Sequence, residues 1–264
     1  MYPLLAVNLR WISRDRTFQA LLAVSLLLIM LVPVISSFSM RQTQELAITL
    51  SLSFISFILL VFALFLGSTM VWRDIERRYT FAVLSMPSDR GTYLMAKFCT
   101  VALFLAASAL VAGVCSAVAI WVSILKYPSP TPLQWNMIAL AVGMDLLKYM
   151  LLASVALLVT TVSTSFFMPF FTALATFLAG SASQEVYDFI SSAQGVKMPA
   201  AARALIKIVY FIIPNFGAFD FKLQAIYPIP FDAVHVSFAV CYFLAYTALM
   251  LSLAIWIFSR REVT

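Results

Sequence analysis

Two places in this 264-residue chain bring charged side chains together at spacings that suit chemistry or docking. The longer is the stretch 73–97, RDIERRYTFAVLSMPSDRGTYLMAK. Ile75, Tyr79, Ala82 or Val83, and Met86 recur at helical spacing, while Asp74, Arg77, Arg78 and Ser85 fall elsewhere. That is the pattern of a short amphipathic helix lying at a surface. Pro87 stops it, and the Ser-Asp-Arg-Gly that follows reads as a turn. Two readings stand: a solvated connection whose arginines only fix topology, or a surface gripped by a soluble partner. The shorter place is Asp145 with Lys148, three residues apart and so on one helical face, inside an apolar run. Charges within such a run are costly and are functional by default. Here the alternatives are a polar site on a path through the bundle, or at a seam between copies, against a mutual ion pair near a membrane boundary.

Neither place carries a catalytic constellation. His235 is the one histidine of the chain, with Asp232 three residues before it, and it reads as an interfacial group. No HExxH, GxSxG or GxxxxGK[ST] sequence occurs, so no metalloprotease helix, nucleophile elbow or phosphate-cradling loop is expected. Cys99, Cys115 and Cys241 lie in apolar runs without metal-ligand spacing and read as small hydrophobes. The expectation is a chain with no catalytic residue, metal, disulfide or cofactor of its own.

The elements that must position these residues follow from composition. Hydrophobic residues make up 63% of the chain and charged ones 11%, against roughly half and a quarter in a soluble domain. The bilayer is the solvent that such a sequence fits. The formal charge of +6 is gathered at the ends of apolar runs, as membrane topology requires, so nucleic acid is not an expected partner. The reading is a single all-α transmembrane domain over 1–264, a polytopic helical bundle of six spans at about 18–38, 46–71, 98–125, 137–162, 166–182 and 233–258. At 1.5 Å per residue the second reaches ~39 Å, more than the ~30 Å hydrocarbon core. Residues 1–17 form a basic amphipathic helix of interfacial type. The three prolines of KYPSPTP break the chain before the fourth span. A long outer segment, 183–232, holds a ten-residue apolar stretch at 204–213, too short to span and so a re-entrant or interfacial helix.

Orientation comes from the basic residues. With the N-terminus in the cytoplasm, Arg10, Arg14, Arg16, Arg73, Arg77, Arg78, Arg90, Lys97, Arg260 and Arg261 all lie inside, and the C-terminus lies inside too. Arg41 and Lys126 are then the basic residues of the two short outer loops. Small residues at 106–109, 112 and 113 allow close helix approach.

Together, the acid-bearing end of span two, a helix, a proline, an arginine and a lysine opening span three resemble the ABC transporter type-2 permeases. The matching positions are Asp74, Glu76, Leu84, Pro87, Arg90 and Lys97. Residues 210–220, YFIIPNFGAFD, are similar to a Pro-Asn-aromatic segment before the last span in many of them, above all in the multicopper-enzyme-maturation branch. The closing Ser-Arg-Arg-Glu resembles that family's basic cytoplasmic tail. The resemblance implies that 72–97 is a cytoplasmic coupling loop, with Asp74, Glu76, Arg77, Arg78, Leu84, Pro87 and Arg90 carrying contact to an ATPase. It implies a bacterial inner-membrane exporter in which two permease chains, as a homodimer, sit on two copies of a cytoplasmic ABC ATPase that binds ATP and Mg. In that setting the N-terminal helix either transmits motion or only anchors the chain. An ion-driven secondary transporter, and an ATPase-coupled scaffold that moves no substrate, are the rival readings.

Overall fold

The computed structural model describes residues 2–39, 42–76, 90–126, 132–191, 199–227 and 233–260. Among them all regular structure is helical and no strand occurs. The helices are α1 (Tyr2–Arg14), α2 (Arg16–Met30), α3 (Val32–Ser37), α4 (Thr43–Glu76), α5 (Arg90–Lys126), α6 (Trp135–Val162), α7 (Phe167–Ser191), α8 (Ala200–Ile212), a 3-10 turn at Gly217–Phe219, α9 (Lys222–Ile226) and α10 (Ala233–Arg260).

Among the described residues five helical stretches are long and apolar enough to cross a membrane: Arg16–Ser37, Thr43–Asp74, Gly91–Lys126, Trp135–Val162 and Ala233–Arg260. This is the make-up of a multi-pass membrane protein. Six spans were expected from the sequence. The fifth apolar run forms α7, a 25-residue helix whose later turns carry Ser181, Ser183, Gln184, Glu185 and Asp188, and α7 is not one of the five.

The first span is two helices. Asp15 caps α2 by accepting a hydrogen bond from the Thr17 backbone N–H. Pro33 in the first turn of α3 forces a restart after Leu31, where a proline costs no helical hydrogen bond. Helices α4 and α5, with 34 and 37 residues, reach ~51 and ~56 Å and so outrun a ~30 Å hydrocarbon core by several turns.

The core lies where α4 and α6 run against one another, with α5 and α10 closing the sides. Gly67 makes the close approach possible. A Cβ there would lie 2.7 Å from the Ala156 Cβ and 3.2 Å from the Ala153 carbonyl oxygen. Across the same contact the Thr160 hydroxyl donates to the Gly67 carbonyl at 3.2 Å and to its own helix at Ala156 at 2.7 Å. Small side chains in apolar helices let backbones meet and let hydroxyls bridge them. Elsewhere bulk fills the gaps: Phe18, Phe62 and Phe104 form an edge-to-face triangle where α2, α4 and α5 meet, with centroids 5.3 to 6.1 Å apart.

Helix α1 and the last turn of α10 lie at one end of this bundle. Asn8 of α1 reaches Lys97 of α5, and Phe258 of α10 stacks on Tyr93 of α5 at 5.9 Å. At the opposite end, Gln44 and Ile48 of α4, Leu133 and Gln134 before α6, and Ala225, Ile226 and Tyr227 line one small cleft. The apolar stretch at 204–213 is helical up to Ile212, as α8, and rests on α7 through a Tyr187–Tyr210 ring stack of 4.4 Å.

Candidate functional site

The densest polar cluster fastens α1 and the start of α2 to the end of α4 and the start of α5. Asp74 and Arg73 are neighbours on α4 and point to different partners, as adjacent helical residues must. The Asp74 carboxylate pairs with the Lys97 ammonium at 2.7 Å, and its Oδ2 accepts a hydrogen bond from the Tyr93 hydroxyl at 2.7 Å. Tyr93 and Lys97 share a face of α5 because they are four residues apart. Lys97 also donates to Asn8 Oδ1 on α1 at 3.0 Å and lies 5.5 Å from the Tyr93 ring centroid. Its side chain is only 5% exposed, against 21% for Asp74. Arg73 turns the other way: its Nη1 lies 3.3 Å from Asp15 Oδ2, and the guanidinium sits 4.4 Å above the Trp11 ring.

Asp15 thus serves twice, as the cap of α2 and as the partner of Arg73. Partial burial works to raise its pKa, but the hydrogen bonds from Thr17 and the nearby Arg73 charge outweigh it and hold the carboxyl below its ordinary value. These two contacts are the ion pairs found among the described residues. Pairs of this kind, with Lys97 buried and Arg73 partly exposed, contribute less to stability than to fixing one register of the groups they join. Here they fix α1 and the first turn of α2 to both helices that flank residues 77–89.

The residues marked by the sequence divide accordingly. Asp74 is partly buried and its Oδ2 is engaged by both Lys97 and Tyr93. Glu76 is exposed in the last turn of α4, and Arg90 opens α5. Arg77, Arg78, Leu84 and Pro87 lie outside the described residues. Of the 72–97 stretch, 72–76 continue α4 and 90–97 begin α5. Sequence reasoning missed Asn8, Trp11, Asp15 and Tyr93. Asp15 carried a local signal, an acid just before an apolar helix in the N-cap position. The others are joined to partners 19 to 89 residues away.

Asp145 and Lys148 are both buried in α6, 2% and 7% exposed. The ion pair weighed for them does not form within 4.0 Å. Lys148 turns instead between two rings, with its ammonium 5.6 Å from the centroids of Tyr149 and Phe177. Asp145 Oδ2 is buried and without a hydrogen-bond partner among the described residues.

The Pro-Asn segment also has a structural role. The Asn215 side-chain amide donates to Gln184 Oε1 of α7 at 2.7 Å, and its own carbonyl oxygen accepts from the Gly217 N–H at 2.9 Å. The Asn215 backbone N–H donates to the Tyr242 hydroxyl of α10 at 2.9 Å. Tyr210 of α8 donates to the same Gln184 oxygen, and Tyr246 of α10 donates to the Ile212 carbonyl at 2.7 Å. Gly180 lets the segment close onto α7: a Cβ there would collide with the Pro214 carbonyl oxygen and the Phe216 ring. One asparagine therefore joins three elements.

Among the described residues no group of histidine, cysteine and acidic side chains is placed to hold a metal ion. Compared with protein-family models and with curated proteins, the chain matches no family model and no curated protein.

Proposed function

We propose that this chain is the membrane-spanning subunit of an ATP-driven exporter, worked by a separate ATPase through the charged segment between α4 and α5. The observation that carries the reading is the double clamp. Asp74–Lys97–Asn8 and Arg73–Asp15 tie α1 and α2 to both flanks of residues 77–89. A push on that segment would be passed to three helix ends together rather than absorbed by fraying. Rigid elements with two discrete arrangements are what a nucleotide-driven partner needs to act on. The sequence resemblance to type-2 ABC permeases points the same way. ATP and Mg would then be held by the partner, since this sequence has no phosphate-cradling loop.

In this reading the chain crosses a bacterial inner membrane six times, with both termini in the cytoplasm. The sixth crossing is α7, whose apolar part over 167–182 reaches ~24 Å. Support comes from the path of the chain. It leaves α6 at Val162 and is beside Gln44 and Gln134, at the other end of the bundle, by Ala225. An even number of crossings also keeps Arg260 and Arg261 on the side of Arg14, Arg16 and Arg73. Two such chains would form the working unit, over two ATPase copies. Glu76 would contact the ATPase, and Asp74 would act as a positioning residue.

The test is purification from native membranes followed by ATPase assay. The protein should carry a soluble subunit that hydrolyses ATP, and Glu76→Ala should lower substrate-stimulated hydrolysis while leaving the chain in the membrane. A preparation with no ATP-hydrolysing companion would refute the proposal.

A further inference from the structure

We propose that Asp145 is an exchangeable proton site in the interior of the bundle, a binding role that does not depend on the exporter reading. Asp145 is the eleventh residue of α6, ~15 Å along that helix from its start, and it is 2% exposed. Its Oδ2 is buried and receives no hydrogen bond among the described residues. An ionised carboxylate oxygen left in that state carries the full cost of desolvation. The cation that would offset it is held away, because Lys148 stands between the Tyr149 and Phe177 rings rather than on the carboxylate.

The surroundings suit a proton better than a metal. The titratable and charged groups that act on Asp145 are Lys148 and Tyr149 on its own helix, Lys222 on α9 and Asp220 just before α9. From α4 the Ser56 hydroxyl acts on it, and α7 contributes the uncharged Phe177 to the Lys148 side. The two ammonium groups act against any added cation, but a proton forms a covalent O–H bond and needs no ligand sphere, whereas a metal ion needs several donors. Ser56 and Tyr149 share a hydrogen bond of 2.8 Å beside the carboxyl, with either hydroxyl able to donate. Such hydroxyls hand a proton on by rotating. The access side is the end of the bundle covered by α9, which packs on both α6 and α4. On release, the carboxyl O–H bond breaks, the electron pair stays on oxygen, and the proton passes to water. The carboxylate left behind has no cation in contact with it among the described residues and feels Lys148 and Lys222 only at longer range.

Infrared spectroscopy of the purified full chain in lipid nanodiscs tests this. Titration with alkali should remove a protonated-carboxyl C=O stretch that shifts in D2O. That band should be missing from Asp145→Asn. Its presence in both proteins, or its absence from wild type at neutral pH, would overturn the proposal. Should Asp145→Asn not fold, Ser56→Ala and Tyr149→Phe take its place. Each should shift the frequency of the band, because each removes a hydroxyl beside the carboxyl, and a band unmoved in both overturns the assignment.

Discussion

Removing the Asp74 carboxylate should loosen α1, α4 and α5 together. In Asp74→Ala, Lys97 loses its 2.7 Å partner while its side chain stays 5% exposed, and Tyr93 loses the acceptor of its hydroxyl. Stripping one partner from a buried pair costs ~3–5 kcal/mol. The lower end applies here, because Lys97 keeps Asn8 at 3.0 Å and the Tyr93 ring, and because Asp74 itself is partly solvated. A loss of ~3 kcal/mol corresponds to a fall of roughly 6–12 °C in Tm for a chain of this size class. Asp74→Asn keeps an acceptor but not the charge, and should lose about half as much. Lys97→Met should recover most of the loss when combined with Asp74→Ala, since both ends of the pair are then apolar. The assay is thermal unfolding of five proteins in detergent micelles, wild type, the three single variants and Asp74→Ala with Lys97→Met, followed by circular dichroism. If the two substitutions simply add, or if Asp74→Ala unfolds at the wild-type temperature, the clamp does not hold these helices.

Three further outcomes follow from the packing. Gly67→Leu should destabilise the chain by ~1–3 kcal/mol or more through collision with Ala153 and Ala156, read as a lower Tm, whereas Gly143→Leu should be far milder because a Cβ there meets nothing within 4 Å. Asn215→Ala should cost about 2–3 kcal/mol, from lost hydrogen bonds of about 1 kcal/mol each plus unpaired groups, and should speed proteolysis between α7 and α10. Asp15 is held below its ordinary pKa, so its contribution to stability is present above the unfolded value, about 4, and disappears as pH falls through the lower folded value. The Tm gap between wild type and Asp15→Asn should therefore be full at neutral pH and close in acid, and a gap constant across that range would refute the pairing with Arg73.

The helices were legible because apolar composition and proline placement leave a membrane chain few options. The runs at 46–71 and 98–125 mark α4 and α5, and 204–213 marks α8. Their ends were less legible. Arg73, Asp74 and Glu76 read as loop because they are polar, yet they extend α4, since a charged helix turn survives where its side chains find partners. The clamp itself was half visible. The resemblance singled out Asp74 as a residue in contact with a partner ATPase and Lys97 only as a matching position at the start of the next span, and in the structure the Asp74 carboxylate meets Lys97 and Tyr93 inside the chain. Nothing local in the sequence announces that Asn8 meets a lysine 89 positions away. The spacing of Asp145 and Lys148 suggested a mutual pair. One shared helical face does not decide the rotamers, and the rings of Tyr149 and Phe177 provide Lys148 with another environment.

The most direct measurement is site-specific photocrosslinking in native membranes from Arg77 or Arg78, each replaced in turn by a photoreactive residue, with thiol-probe accessibility of Arg78→Cys measured in intact cells. The account predicts an adduct with a soluble, ATP-hydrolysing protein and no labelling by a membrane-impermeant reagent applied from outside. Labelling from outside, or crosslinks confined to lipid and to this chain, would contradict it.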